Sequence, residues 1–147
     1  MNASEVPVGY LVGTPRGHLS KHEKALSLLS WEKVRDDVRV KLLPKENEVY
    51  VLVESKARRL KEQAIRLRKM KKFVNRLKEI RDQKNIDRDS LLKKVGAAEK
   101  DAGRFCRLFV IRIPLEGEEI NENTFFWRLN RDKYRKAWHR EGKYFLR

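Results

Sequence analysis

A chain of 147 residues with 36 Lys/Arg against 21 Asp/Glu carries a formal net charge of +15 at pH 7, an excess that calls for an anionic partner. Hydrophobic residues make up 40% and aromatics 9%, which excludes a disordered chain despite 39% charged residues. No apolar run approaches the roughly 20 residues that span a bilayer, the opening residues lack the regions of a signal peptide, and the one cysteine, Cys106, cannot form an internal disulfide. The expected setting is therefore the reducing cytoplasm, with no membrane partner.

Val8-Gly9-Tyr10-Leu11-Val12-Gly13 reads as a short buried strand, ended by a turn over Gly13-Thr14-Pro15-Arg16-Gly17. Ser20-Lys21-His22-Glu23 fits a capping box with Ser20 as N-cap, predicting a helix with His22, Ala25, Leu26 and Leu29 inward. Residues 38–42 alternate with period two and 49–53 do so more weakly, with a turn over 44–48, so 38–53 is expected to be a β-hairpin. This first part, residues 1–55 (core strand, helix and hairpin), holds 8 Lys/Arg against 8 Asp/Glu.

The charge concentrates in residues 56–104, with 18 Lys/Arg against 7 Asp/Glu. Residues 56–84 alone hold 13 against 3 and contain no Gly or Pro, which predicts an uninterrupted helix about 40 Å long. Leu60, Leu67 and Val74 recur every seven residues, with Met70, Leu77, Phe73 and Ile80 beside them, as a narrow apolar stripe. Asn85-Ile86-Asp87-Arg88-Asp89 breaks the pattern, and Asp87 or Asp89 can cap a second helix that turns Leu91, Leu92, Val95 and Ala98 inward. Residues 56–82 and 90–102 are thus expected to form an antiparallel helical hairpin. Its seam can bury little by itself, a few kcal/mol at about 25 cal/mol/Å², so it is expected to project from the body.

Residues 105–147, with 10 Lys/Arg against 6 Asp/Glu, return to β structure. Strands are predicted over 107–113, stopped by Pro114, and over 124–129. Asn130 then caps a short helix through Trp138, and Gly142 releases a final strand over 143–147. A chain that stops directly after an apolar run is expected to be incomplete as a fold. The fold class is α+β, one domain in three parts.

No set of residues completes an active site. His18 and His22 are four apart, a spacing a zinc pair can use, but His18 precedes the Ser20 cap and a surface pair is the expectation. Asp36 and Asp37 are adjacent and should point to opposite faces, as solvated loop charges. Cys106 precedes a buried strand and has no evident His partner, so it is expected to be a core thiol. Gly-rich phosphate loops, nucleophile elbows and CxxC pairs are absent.

The basic helix is the remaining signal. Balanced Lys/Glu helices are commonly just solvated faces, but here like charges meet at i,i+4, as in Arg68 with Lys72 and Lys72 with Arg76. Each such pair costs about 0.2–0.5 kcal/mol, and phosphate neutralisation would offset it. Lys56, Arg58, Arg59, Lys61, Arg66, Arg68, Lys69, Lys71, Lys72 and Arg76 are therefore the expected phosphate contacts. Most aromatics lie outside this helix, which favours duplex backbone contact over stacking on single strands.

Several strings also resemble a DDE transposase of bacterial insertion sequences: Gly9-Tyr10-Leu11-Val12-Gly13-Thr14-Pro15-Arg16, Trp31-Glu32-Lys33-Val34-Arg35, Val38-Arg39-Val40-Lys41-Leu42-Leu43-Pro44, Ser55-Lys56-Ala57-Arg58-Arg59-Leu60-Lys61-Glu62 and Arg140-Glu141-Gly142-Lys143-Tyr144-Phe145-Leu146-Arg147. The resemblance covers residues 8–147 and rests on the order and spacing of the strings. It implies an RNase H-like fold whose two Asp and one Glu hold two Mg²⁺ for phosphoryl transfer. It also implies that all three carboxylates lie outside this chain, so no catalytic or metal residue and no cofactor is carried over. The expectation is a partial insertion-sequence transposase that binds double-stranded DNA, with the remaining transposase segments or a second copy as further partners. The alternatives are a freestanding, non-enzymatic nucleic-acid-binding module and a decayed reading frame.

Overall fold

The structure, a computed structural model, describes residues 16–45 and 48–146. The chain forms two compact units, residues 1–61 with 140–147 and residues 62–139. Their boundaries fall inside two helices rather than at positions 55 and 104. The strand read at Val8–Gly13 lies outside the described residues.

In the first unit, helix α1 (Arg16–Ser27) is followed by β1 (Glu32–Arg35), β2 (Val38–Lys45), β3 (Glu48–Ser55) and, from the far end of the chain, β6 (Lys143–Leu146). They form an antiparallel sheet in the order β1-β2-β3-β6. The predicted hairpin is present, its register running from Val38 opposite Ser55 to Lys45 opposite Glu48. Helix α1 starts at Arg16, so Ser20 is its fifth residue and not its N-cap.

One face of the sheet packs under α1, where Leu19 and Leu26 meet Leu43, Tyr50, Leu52 and Phe145. The period of two in β2 is real, but the covered face is the one holding Lys41 and Leu43, and Leu42 is left 44% exposed. The reason is cross-strand: Lys41 and Leu43 stand opposite Leu52 and Tyr50 of β3. Burial of Lys41 is tolerated because its ammonium donates to the Leu26 carbonyl at 3.0 Å, an acceptor it shares with the Leu29 N–H at the end of α1. His22 is half-buried; its ring lies 4.7 Å from that of Tyr50, which in turn stacks on Phe145 at 5.0 Å.

Gly142 sets the entry into β6. Its φ of +76° is left-handed, and its carbonyl accepts from the Ser55 N–H at 2.8 Å. A Cβ there would stand 2.5 Å from Arg59 Cβ and 2.9 Å from the Ser55 carbonyl oxygen. Gly142→Ala is therefore expected to cost the first unit about 2–5 kcal/mol, combining backbone strain with overpacking, measured as a lowered urea midpoint.

The second unit is built on α2 (Lys56–Asp82), which opens at the end of β3 in the first unit, and α3 (Arg88–Ala102). The helices run antiparallel: Lys94 bonds Gln83 beside the connecting turn, and Lys72 reaches Asp101 at 3.0 Å far from it. The apolar side of α2 keeps only part of the predicted stripe, Phe73, Leu77 and Ile80. Leu60 and Leu67 are 59% and 53% exposed, and the buried positions are Arg66, Phe73, Leu77 and Ile80. An arginine at an inward position hides the period from a pattern that counts it as polar. Its stem packs inside while its guanidinium donates to the Tyr134 hydroxyl at 2.8 Å and lies over that ring.

The two helices do not close their seam alone. Phe73, Leu77, Ile80, Leu91, Val95, Ala98 and Ala102 form one core with Phe125, and Phe109, Ile111, Ile113 and Trp127 pack against it. These last residues come from a segment that the hairpin's own seam could not reveal. A 3₁₀ turn over Gly103–Leu108 replaces the start of the predicted 107–113 strand, leaving β4 (Phe109–Arg112). It pairs antiparallel with β5 (Phe126–Leu129). Asn130 caps α4 (Arg131–Arg140) by accepting from the Lys133 N–H at 3.2 Å.

Asp87 caps α3, its carboxylate accepting from the Ser90 N–H at 2.7 Å, and that bond holds its carboxyl below the ordinary range. A depressed folded pKa contributes stability that is full above the unfolded pKa and is lost as pH falls through the folded one. Asp87→Ala is accordingly expected to lower the melting temperature at neutral pH and far less in strong acid. Circular dichroism melts at the two pH values check this.

Candidate nucleic-acid interface

Helix α2 divides the ten predicted phosphate contacts between the two units. Lys56, Arg58, Arg59 and Lys61 belong to the first, and Arg66, Arg68, Lys69, Lys71, Lys72 and Arg76 to the second. Arg66 does not join the others: at 1% exposed, its guanidinium is turned into the protein and out of reach of a phosphate. The remaining five line one groove of about 610 Å³ between α2 and α3, floored by Phe73, Ala98 and Ala102.

They are brought together by simple geometry. Positions 68, 69, 72 and 76 lie on one flank of α2 beside the buried row, and the small residues Ala97 and Ala98 of α3 leave the space open. From Arg68 to Arg76 the cations extend about 12 Å along the helix, the axial length of roughly three to four phosphates of one strand.

Two carboxylates, Asp101 and Glu79, share the groove. Lys72 pairs with Asp101 at 3.0 Å, Lys69 donates to the Asp101 carbonyl at 3.1 Å, and Arg76 pairs with Glu79 at 3.0 Å. The Lys72 hydrogen bond holds the Asp101 carboxyl below its ordinary range, so it stays charged. Part of the repulsion along α2 is thus relieved inside the protein. Arg68 and Lys71 are exposed and have no ion pair among the described residues. Five cations against two carboxylates leave the groove positive.

The first unit holds a different cluster. Trp31 carries the Arg39 guanidinium at 4.4 Å and the Lys41 ammonium at 4.7 Å, with Lys143 at 5.9 Å. Beside it, a hollow of about 600 Å³ is lined by Lys33, Arg35, Arg39, Lys56 and Arg59, but also by Asp36, Asp37 and Glu54. Burial raises Glu54, yet the hydrogen bond and charge of Arg39 and the charges of Lys143 and Arg59 outweigh it and hold the carboxyl low. Burial also pushes the Lys143 ammonium below its ordinary range, with Glu54 opposing and Arg59, Lys41 and Arg39 adding to the effect. Three acids among five cations make this a weaker polyphosphate surface than the α2–α3 groove. Arg58 lies over the Tyr144 ring at 4.6 Å.

Two features escaped the sequence reading. The Trp31 cluster depends on strand pairing, and no local signal announces it. The cations of α4 were legible, since Arg131, Lys133, Arg135, Lys136 and Arg140 stand in ten residues against one Asp132.

Cys106 is half-buried against the core, and burial, followed by the charge of Glu99, pushes its thiol above the ordinary range, away from nucleophilic character. Asp36 and Asp37 occupy the exposed turn between β1 and β2. Among the described residues, no group of three or more His, Cys, Asp or Glu side chains comes together to hold a metal ion. Among the same residues, no helix is long and apolar enough to cross a membrane.

Fold and groove together define a basic, two-unit α+β protein with a polyanion-sized cationic groove. No family model, no curated protein and no solved structure matches the chain.

Proposed function

We propose that this chain is a DNA-binding interior part of an insertion-sequence transposase, gripping duplex backbone through the α2–α3 groove. The observation that carries the DNA-binding reading is the placement of Arg68, Lys69, Lys71, Lys72 and Arg76 along one groove with only two carboxylates. A merely solvated helix face would scatter such charges around the helix; here they share one concave surface of a length that suits a strand of phosphates. The transposase origin, with its RNase H-like fold, rests on the order of the resembling strings from Gly9 to Arg147. No step of catalysis is assigned.

Fluorescence anisotropy of the purified chain against a labelled duplex, titrated with salt, tests the reading. Log K should fall against log[salt] with a slope of about −0.9 per phosphate contact. Absence of binding at low salt would overturn it. The two separate cores, one per unit, support the second reading of a freestanding nucleic-acid-binding module. A single chain that melts cooperatively and binds duplex without other segments would favour that reading over a transposase part.

A further inference from the structure

We propose that the sheet face of the first unit turned away from α1 is a dimer interface, joining two copies of this chain about a two-fold axis. This goes beyond the nucleic-acid reading and does not depend on it. The register fixes which side chains share that face, because residues paired across antiparallel strands point the same way. Leu42 of β2 stands opposite Val51 of β3, and Val51 stands opposite Leu146 of β6. On either side of this row, Val40 lies opposite Val53 and Pro44 opposite Val49. Leu43, Tyr50, Leu52 and Phe145, which meet α1, point the other way.

Leu42 is 44% and Val49 48% exposed, Pro44 is exposed, and Val40, Val51 and Leu146 are only half-buried. A single exposed leucine is ordinary on a protein surface. Contiguous apolar side chains across three strands are not, and such a patch marks an interaction site. Its occupant follows from charge. The patch carries no cation, so a polyanion gains nothing on it. A second copy, itself at a net +15, can approach closely only through a face with few cations, and this face meets that condition. Its rim on β1 is also self-complementary. Glu32 and Arg35, opposite Val40 and Val38 in the register, are exposed, of opposite sign, and have no ion pair among the described residues. In a two-fold contact Glu32 of one copy meets Arg35 of the other, and the reverse pair forms by symmetry. Residues 38–44 of β2, with the two strands beside it, span about 20 Å by 15 Å. That area is at the lower end of specific interfaces, so the dimer dissociates on dilution.

Sedimentation equilibrium of the full, nucleic-acid-free chain at physiological salt tests this, with loading from low micromolar to millimolar. The natural chain is expected to pass from monomer to dimer across that range. Leu42→Lys with Val49→Lys should weaken the dimer about tenfold or more, through lost apolar burial and like charges brought together. Glu32→Lys alone should weaken it about threefold. Glu32→Lys with Arg35→Glu should recover the natural value, because the swap restores both rim pairs. That recovery separates an interface from a general change in folding, and circular dichroism checks the sheet in each variant. A chain that stays monomeric throughout would leave the face to some other occupant and overturn the proposal. A dimer unaffected by the double apolar variant, or a charge swap no better than Glu32→Lys, would overturn it as well. The duplex reading stands or falls separately, since none of these residues lines the α2–α3 groove.

Discussion

A chain in which Arg68, Lys69, Lys71 and Lys72 are all replaced by glutamine is expected to bind duplex DNA far more weakly and with a flattened salt dependence. The size of the change follows from where each side chain is held. Arg68 and Lys71 have no ion pair among the described residues and are free to reach phosphate. Lys69 and Lys72 are engaged by the Asp101 carbonyl and carboxylate, which must be displaced or shared when a phosphate enters. At about 0.9 per contact, the slope should therefore lose roughly 2 if only the first pair binds, and close to 4 if all four do. The helix itself should survive. None of these four positions belongs to the buried row of Arg66, Phe73, Leu77 and Ile80, and glutamine is nearly as good a helix former as lysine. Removing i,i+4 repulsion, as between Arg68 and Lys72, even favours the helix slightly. Salt-titrated anisotropy beside a circular dichroism spectrum checks both points. An unchanged slope with intact helicity would mean that the groove is not the duplex-binding face.

The second large effect is on stability. Phe125→Ala is expected to cost the second unit about 3–5 kcal/mol, against a total of roughly 5–15 kcal/mol for a typical domain. The ring is fully buried and completes the core that the two helices only half enclose. It is presented by a braced turn rather than by a regular element. The Phe125 N–H donates to the Asn121 carbonyl at 2.8 Å, the Thr124 hydroxyl donates to the Glu119 carbonyl at 2.6 Å, and Arg112 donates to the Thr124 carbonyl at 2.7 Å. Because that turn cannot easily collapse inward, most of the cavity should persist, placing the cost at the upper end of the range. Urea unfolding followed by far-ultraviolet circular dichroism measures it. A loss below about 1 kcal/mol would mean that the loop, and not the ring, holds this core together.

The groove and the core explain each other. Phe73, Leu77 and Ile80 fix the rotation of α2 against α3, and that rotation puts Arg68, Lys69, Lys72 and Arg76 together on the adjoining flank. The same rotation turns Arg66 inward toward Tyr134. Charge alone could not separate Arg66 from Arg68, since both are cations in one basic helix. Packing separates them: the inward cation needs a hydroxyl and a ring to replace water, and α4 supplies both.

The local chemistry of the sequence by itself determined the β-hairpin of β2 and β3, the limits of α2, the Asp87 and Asn130 caps and the left-handed Gly142. Each of these depends on residues a few positions apart, through turn propensity, helix periodicity, a side chain bonding a nearby N–H, or the missing Cβ of glycine. The concentration of positive charge on α2 was equally plain, being a property of composition. Tertiary structure alone decided which face of each element is inside. Lys41 is covered and Leu42 exposed because α1 packs on that face of the sheet. The helical pair becomes a core because Phe125 and the β4–β5 strands close over it. The last strand joins the sheet beside β3, about 90 residues earlier in the chain, through pairs such as Leu52 with Phe145. Burial depends on partners that are distant in sequence, and a one-residue shift in which side is covered moves a leucine to solvent and a cation to the core.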